Sequence, residues 1–147
     1  MANGDTAVDV TVGTNGNSGF TATVYDAGDA TNPGLYKSAA TTDLIGSSSA
    51  AYADGPTGLV AGTEGYGINA ATSGGSGATV TIGTRYIVGT GDVGGLEVGA
   101  SAAVTLASAT GPVTGRIISI NAKAAIDALI RAGTYQDTVT VIVTGNF

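Results

Sequence analysis

The stretch Ala132-Gly133-Thr134-Tyr135-Gln136-Asp137-Thr138-Val139-Thr140-Val141-Ile142-Val143 carries the clearest structural signal in the chain. From Thr134 to Val143 the odd positions Tyr135, Val139, Val141 and Val143 are apolar, and the even positions Gln136, Thr138 and Thr140 are polar. Successive side chains of a strand point to opposite faces, so this alternation predicts one strand with a buried face and a wet face. The residue types agree, because β-branched Val, Ile and Thr pack well on a pleated surface and lose rotamer freedom in a helix. The same period of two opens the chain, where Val8, Val10 and Val12 alternate with Asp9 and Thr11.

Between these ends, further strands are predicted at Phe20 to Tyr25, Glu64 to Ala70, Ala102 to Ala107 and Val113 to Ala122. Glycines within Glu64-Gly65-Tyr66-Gly67-Ile68-Asn69-Ala70 suit a close approach of another backbone. Thr79 to Ile82 and Arg85 to Val88 flank Gly83-Thr84, which predicts a tight hairpin. Ala124 to Arg131 predicts a helical turn or two, with Ile126, Leu129 and Ile130 on one side and Gly133 as its stop. Residues 26 to 58 carry only short apolar patches among Asp, Gly, Ser and Pro. Strands at intervals of 8 to 15 residues, separated by turn signals, define an all-β fold, a β-sandwich, in a single domain over residues 1–147.

Composition narrows the chemistry. Gly supplies 25 of the 147 residues, against a usual share of roughly 7%. Cys, His and Trp are absent, and charged residues make up 11%. A Ser–His–Asp triad, a Cys nucleophile and a His- or Cys-ligated metal are therefore excluded, and no disulfide staples the fold. A hydrophobic share of 43% separates the chain from disordered Gly-rich sequences. The net charge of −6 argues against a nucleic-acid partner or an anionic membrane surface. No apolar run is long enough for a membrane-inserted helix. With two glutamates, scattered aspartates and few aromatic residues, acid–base and glycosidase chemistry have little to work with, so no enzyme activity and no cofactor are expected.

Two local patterns resemble ligand motifs. Gly89-Thr90-Gly91-Asp92-Val93-Gly94 matches G-x-G-x-x-G, but Gly95-Leu96-Glu97-Val98-Gly99 follows where a dinucleotide site needs a helix. Asp26, Asp29 and Asn32 place oxygen ligands three residues apart, which makes calcium conceivable. The order lacks an EF-hand's ligand spacing and distal Glu, and Asp and Asn are also ordinary turn formers. No basic n-region with an apolar h-region opens the chain. Met1-Ala2-Asn3-Gly4-Asp5 reads as an initiator Met placed before the mature N-terminus of a protein secreted through a removed signal peptide.

The A-G-T-Y-x-D-T-V-T-V-x-V stretch, with the terminal Phe147, resembles the C-terminal strand of spore-coat-U-type subunits, which include archaic chaperone–usher pilins. About a quarter of the chain is covered, and the absent Cys departs from the family's usual disulfide. Residues 60 to 70, Gly111-Pro112 and the last strand are also similar to uncharacterised prokaryotic surface β-proteins. The pilin resemblance implies an incomplete immunoglobulin-like sandwich, completed by a donor strand from a neighbouring subunit. Residues 1–13 would then hold the donor strand with Val8, Val10 and Val12, and Tyr135, Val139, Val141, Val143 and Phe147 would make the last-strand contacts. It also implies copies of the chain itself as partners, with a periplasmic chaperone and usher, at the cell surface.

Independently of the resemblance, the Val8–Val12 segment reads either as an edge or central strand of its own domain or, being a short alternating edge without Lys or Pro, as one open to pairing with another copy. The expected function is thus a structural subunit of an extracellular filament, polymerising by donor-strand exchange. The alternatives are a monomeric surface or carbohydrate-binding module and a phage- or capsid-associated structural protein.

Overall fold

The computed structural model describes residues 2–3, 7–37, 40–47, 57–87 and 92–147. Its strands are β1 (Ala2–Asn3), β2 (Val8–Thr14), β3 (Phe20–Asp26), β4 (Gly34–Lys37), β5 (Ala40–Gly46), β6 (Thr57–Gly58) and β7 (Gly65–Ser73). They continue with β8 (Ser76–Gly77), β9 (Thr81–Ile82), β10 (Asp92–Val93), β11 (Val104–Ala109), β12 (Val113–Ala125), β13 (Tyr135–Gln136) and β14 (Val139–Gly145). The protein is all-β, and its named strand pairs are antiparallel.

Two sheets enclose the core. In the first, the long β12 is central, with β7 and β8 along one side and β1 and β2 along the other. The second runs β14-β3-β11-β9. Two small sheets, β13-β4-β5 and β10-β6, lie outside this frame. Phe20, Ala22 and Val24 of β3, with Leu106 of the neighbouring β11, meet Val12, Ile68 and Ile118 of the other sheet in one buried cluster. The period-two strands thus bury one face each, which is the arrangement of a β-sandwich.

Four expectations change in detail. Ala124 to Arg131 is not helical: β12 runs on to Ala125, and Asp127 then turns the chain by accepting the backbone N–H of Leu129 and Ile130 through Oδ1. A short carboxylate that bonds its own backbone competes with a helix ladder. Of the expected apolar face, Ile130 packs against the core, but Ile126 and Leu129 are exposed. The expected hairpin at Gly83-Thr84 is also absent. Gly83 has φ −57°, outside the left-handed region that a two-residue hairpin loop requires, and its N–H continues onto Leu106 O. Thr84–Tyr86 form a 3-10 turn that buries Arg85 and Tyr86, while Val88 lies outside the described residues.

The last strand is two strands. β13 pairs with β4, β14 pairs with β3, and the chain changes sheet at Asp137-Thr138. The patternless region from 26 to 58 supplies the β4–β5 hairpin. Of the G-x-G-x-x-G stretch, Gly89 to Gly91 lie outside the described residues, as do Met1 and residues 4–6 of the candidate donor segment.

Candidate assembly cleft

The outermost strands on one side of the sandwich are β2 and β14. Among the described residues, β2 pairs only with β12 and β14 only with β3, so each has one edge without a strand partner. At their C-terminal ends the two strands meet: Asn146 N–H donates to Gly19 O at 2.9 Å, and Gly16 lies against Asn146 O. Toward their N-terminal ends, Val8 and Val139 both line a cleft of about 530 Å³, together with Leu35, Ala124, Tyr135 and Tyr66 of β7.

The sequence-predicted residues fall on this open side in part. Val8, Tyr135 and Val139 share the cleft. Val10, Val12 and Val141 pack on the core, Val12 being buried, so β2 is held by one face and one edge of its own chain. Val8 has inward parity with Val10 and Val12 yet remains 64% exposed. Val143 is 42% exposed, and Phe147, 94% exposed, lays its ring beside Gly145 at the end of the strand. The outer face of β2 is tied to β12 by Ser119 Oγ, which donates to Asp9 Oδ1 at 2.6 Å.

Asp26, Asp29 and Asn32 do not point at a common centre. Asp29 Oδ1 accepts the N–H groups of Thr31 and Asn32, and its Oδ2 accepts Asn32 Nδ2. These donors hold the Asp29 carboxyl below its ordinary range. Asp26 turns inward and is fully buried. Among the described residues no group of three or more Asp, Glu, His or Cys is gathered as a metal centre.

Sequence reasoning missed the polar cluster beneath the cleft. Asp137, at the sheet change, accepts Gly28 N–H and Thr138 N–H through Oδ1 and the Tyr66 hydroxyl through Oδ2 at 3.1 Å. Burial pushes its carboxyl upward, against the pull of these donors. Burial, and then the negative charge of Asp137, also raise the Tyr66 hydroxyl. Asp26 is pushed up to about 7, first by burial and then by the charge of Asp137, with Gly34 N–H opposing. Arg85 pairs with Glu97 at 3.2 Å. Burial raises Tyr86 to about 12. The signal for Asp26 was available: it continues the inward parity of Phe20, Ala22 and Val24.

Fold and site together define an all-β sandwich with one open side. No protein-family model, curated protein or solved structure matches the chain.

Proposed function

We propose that the chain is a structural, non-enzymatic subunit of an extracellular filament, polymerising when β2 leaves its own β12 and takes the same place on the next copy. The observation that supports this reading is the state of β2. It is an edge strand joined to one neighbour, its first inward residue Val8 stands in an open cleft, and it is followed by an Asn/Gly turn. Exchange of an identical element replaces each contact by its equivalent in another copy, so it costs little beyond the change at the hinge. Repeated head to tail, the contact propagates without closing.

The test uses the absence of native cysteine. Asp9 and Ser119 are cross-strand partners on the exposed face of β2 and β12, so Asp9→Cys with Ser119→Cys, oxidised as a monomer, ties β2 to its own chain. Electron microscopy and light scattering should show filaments for the unaltered chain, none for the oxidised variant, and their return on reduction. Filaments from the oxidised variant refute strand exchange, and an unaltered chain that stays a monodisperse monomer when concentrated refutes polymerisation.

A further inference from the structure

Along β3 the inward positions are Phe20, Ala22, Val24 and Asp26, all buried. Asp26 is the one that carries a titratable group, and three parts of the fold converge on it. Its Oδ2 accepts Gly34 N–H at 2.9 Å, at the start of β4. Its backbone N–H donates to Glu97 O, and its carbonyl accepts Gly99 N–H. Its strand partner across the sheet is Val139, two residues after Asp137. Asp26 Oδ1 is buried and has no hydrogen-bond partner among the described residues.

The neighbouring carboxylates differ in their supply of donors. Asp137 takes two backbone N–H groups and the Tyr66 hydroxyl, which suits an ionised group. Among the described residues, Asp26 has one donor for two oxygens and no ion-pair partner. The charged and titratable groups around it are Asp137 from the β13–β14 link, Glu97 and Arg85, which pair with each other, Tyr66 from β7 and Tyr86 from the 3-10 turn. An ionised Asp26 would add a second buried negative charge beside Asp137, whereas a protonated one carries none.

We propose that Asp26 is held as a neutral carboxylic acid and forms a pH-sensitive latch at the end of β3, which loosens when loss of its proton to water sets a second buried charge beside the Asp137 link. The proposal concerns the wall of the cleft and stands whether or not a second copy binds there. Its sign follows from linkage. The folded group lies near 7 and the unfolded one near 3.8, so the folded state holds the extra proton between them. The latch contributes fully below the unfolded value, weakens as pH rises through the interval, and is lost above the folded value.

The experiment follows unfolding of the full chain from pH 4 to 9, beside the neutral variant Asp26→Asn. For the unaltered chain the folded-to-unfolded ratio should fall by up to tenfold per pH unit between about 5 and 7. In Asp26→Asn that fall should be absent or much reduced; parallel curves for the two proteins overturn the proposal. Isotope-edited infrared spectroscopy of the unaltered chain supplies a second measurement that needs no variant. One protonated aspartate carboxyl should persist to near-neutral pH, and its absence above pH 5 overturns the proposal. Calcium that raises the midpoint and removes the pH dependence, relative to chelator, also overturns it by assigning Asp26 to a cation.

Discussion

Gly67→Ala should destabilise the protein far more than the loss of one strand glycine suggests. In β7, Gly67 faces the segment that ends β10, where Ile68 N–H donates to Gly94 O at 3.0 Å and Gly94 N–H returns to Ile68 O at 2.7 Å. A Cβ at Gly67 would stand 2.5 Å from Gly94 O and 2.8 Å from Val93 Cγ2. The obstacle includes backbone, and Val93 is itself fully buried, so neither can turn aside. Forced overpacking costs about 1–3 kcal/mol. Prising the segments apart also strains two hydrogen bonds worth about 1 kcal/mol each. Together these give about 3–5 kcal/mol, which lowers the melting midpoint of a chain this size by about 10 °C.

Calorimetry or circular dichroism would measure the effect, and Gly13→Ala provides the control. A Cβ at Gly13 meets nothing closer than Val113 O at 3.8 Å. Ala also costs less strand entropy than Gly, so Gly13→Ala should raise stability by about 0.5 kcal/mol. If Gly67→Ala melts within 2 °C of the unaltered chain, the close approach of β7 to Val93-Gly94 is refuted.

Tyr66→Phe removes the hydroxyl donor to Asp137 and should cost about 1–2 kcal/mol, read as a fall in the denaturation midpoint at unchanged slope. A stability equal to that of the unaltered chain would show that the Asp137 carboxylate does not need this donor. Because Asp29 spends its carboxylate on its own turn, melts in calcium and in chelator should coincide. A calcium-dependent midpoint would restore the Asp26, Asp29 and Asn32 site.

What was legible in the sequence was what periodicity encodes. The alternation of Val8, Val10 and Val12 and of Phe20, Ala22 and Val24 gave both the strands and the faces they bury. The fold class follows from those faces alone, because a half-apolar strand needs a second layer. Where side-chain hydrogen bonds override the local pattern, reading by period failed. Ile126, Leu129 and Ile130 have helical spacing, but Asp127 captures two backbone N–H groups and closes a turn instead. Tyr135 and Val139 share a parity and look like one strand, yet they belong to different sheets. The cleft was only half legible, because Val8 and Val139 lie far apart in the chain and meet through tertiary pairing.

The break at Asp137-Thr138 links fold to cleft. β14 begins at Val139, which pairs with Asp26, the last residue of β3, so the first half of the strand predicted from Thr134 to Val143 has no place beside β3. Instead Tyr135-Gln136 leaves to pair with Lys37 and Tyr36, and Asp137 is drawn inward by Gly28 N–H and the Tyr66 hydroxyl. The sandwich is therefore closed where Asn146 meets Gly19 and open where β13 departs. A polar residue in an otherwise apolar alternation thus sets the position of the open side. It also places a carboxylate next to buried Asp26, so the cleft between β2 and β14 and the groups that would sense pH share one structural origin. Separating them requires a variant that keeps the sheet change while removing the charge. Asp137→Asn retains an amide oxygen for the Gly28 and Thr138 N–H groups, and its Nδ2 donates to the Tyr66 hydroxyl instead of accepting from it, so it should leave the cleft in place while weakening the pH dependence of stability.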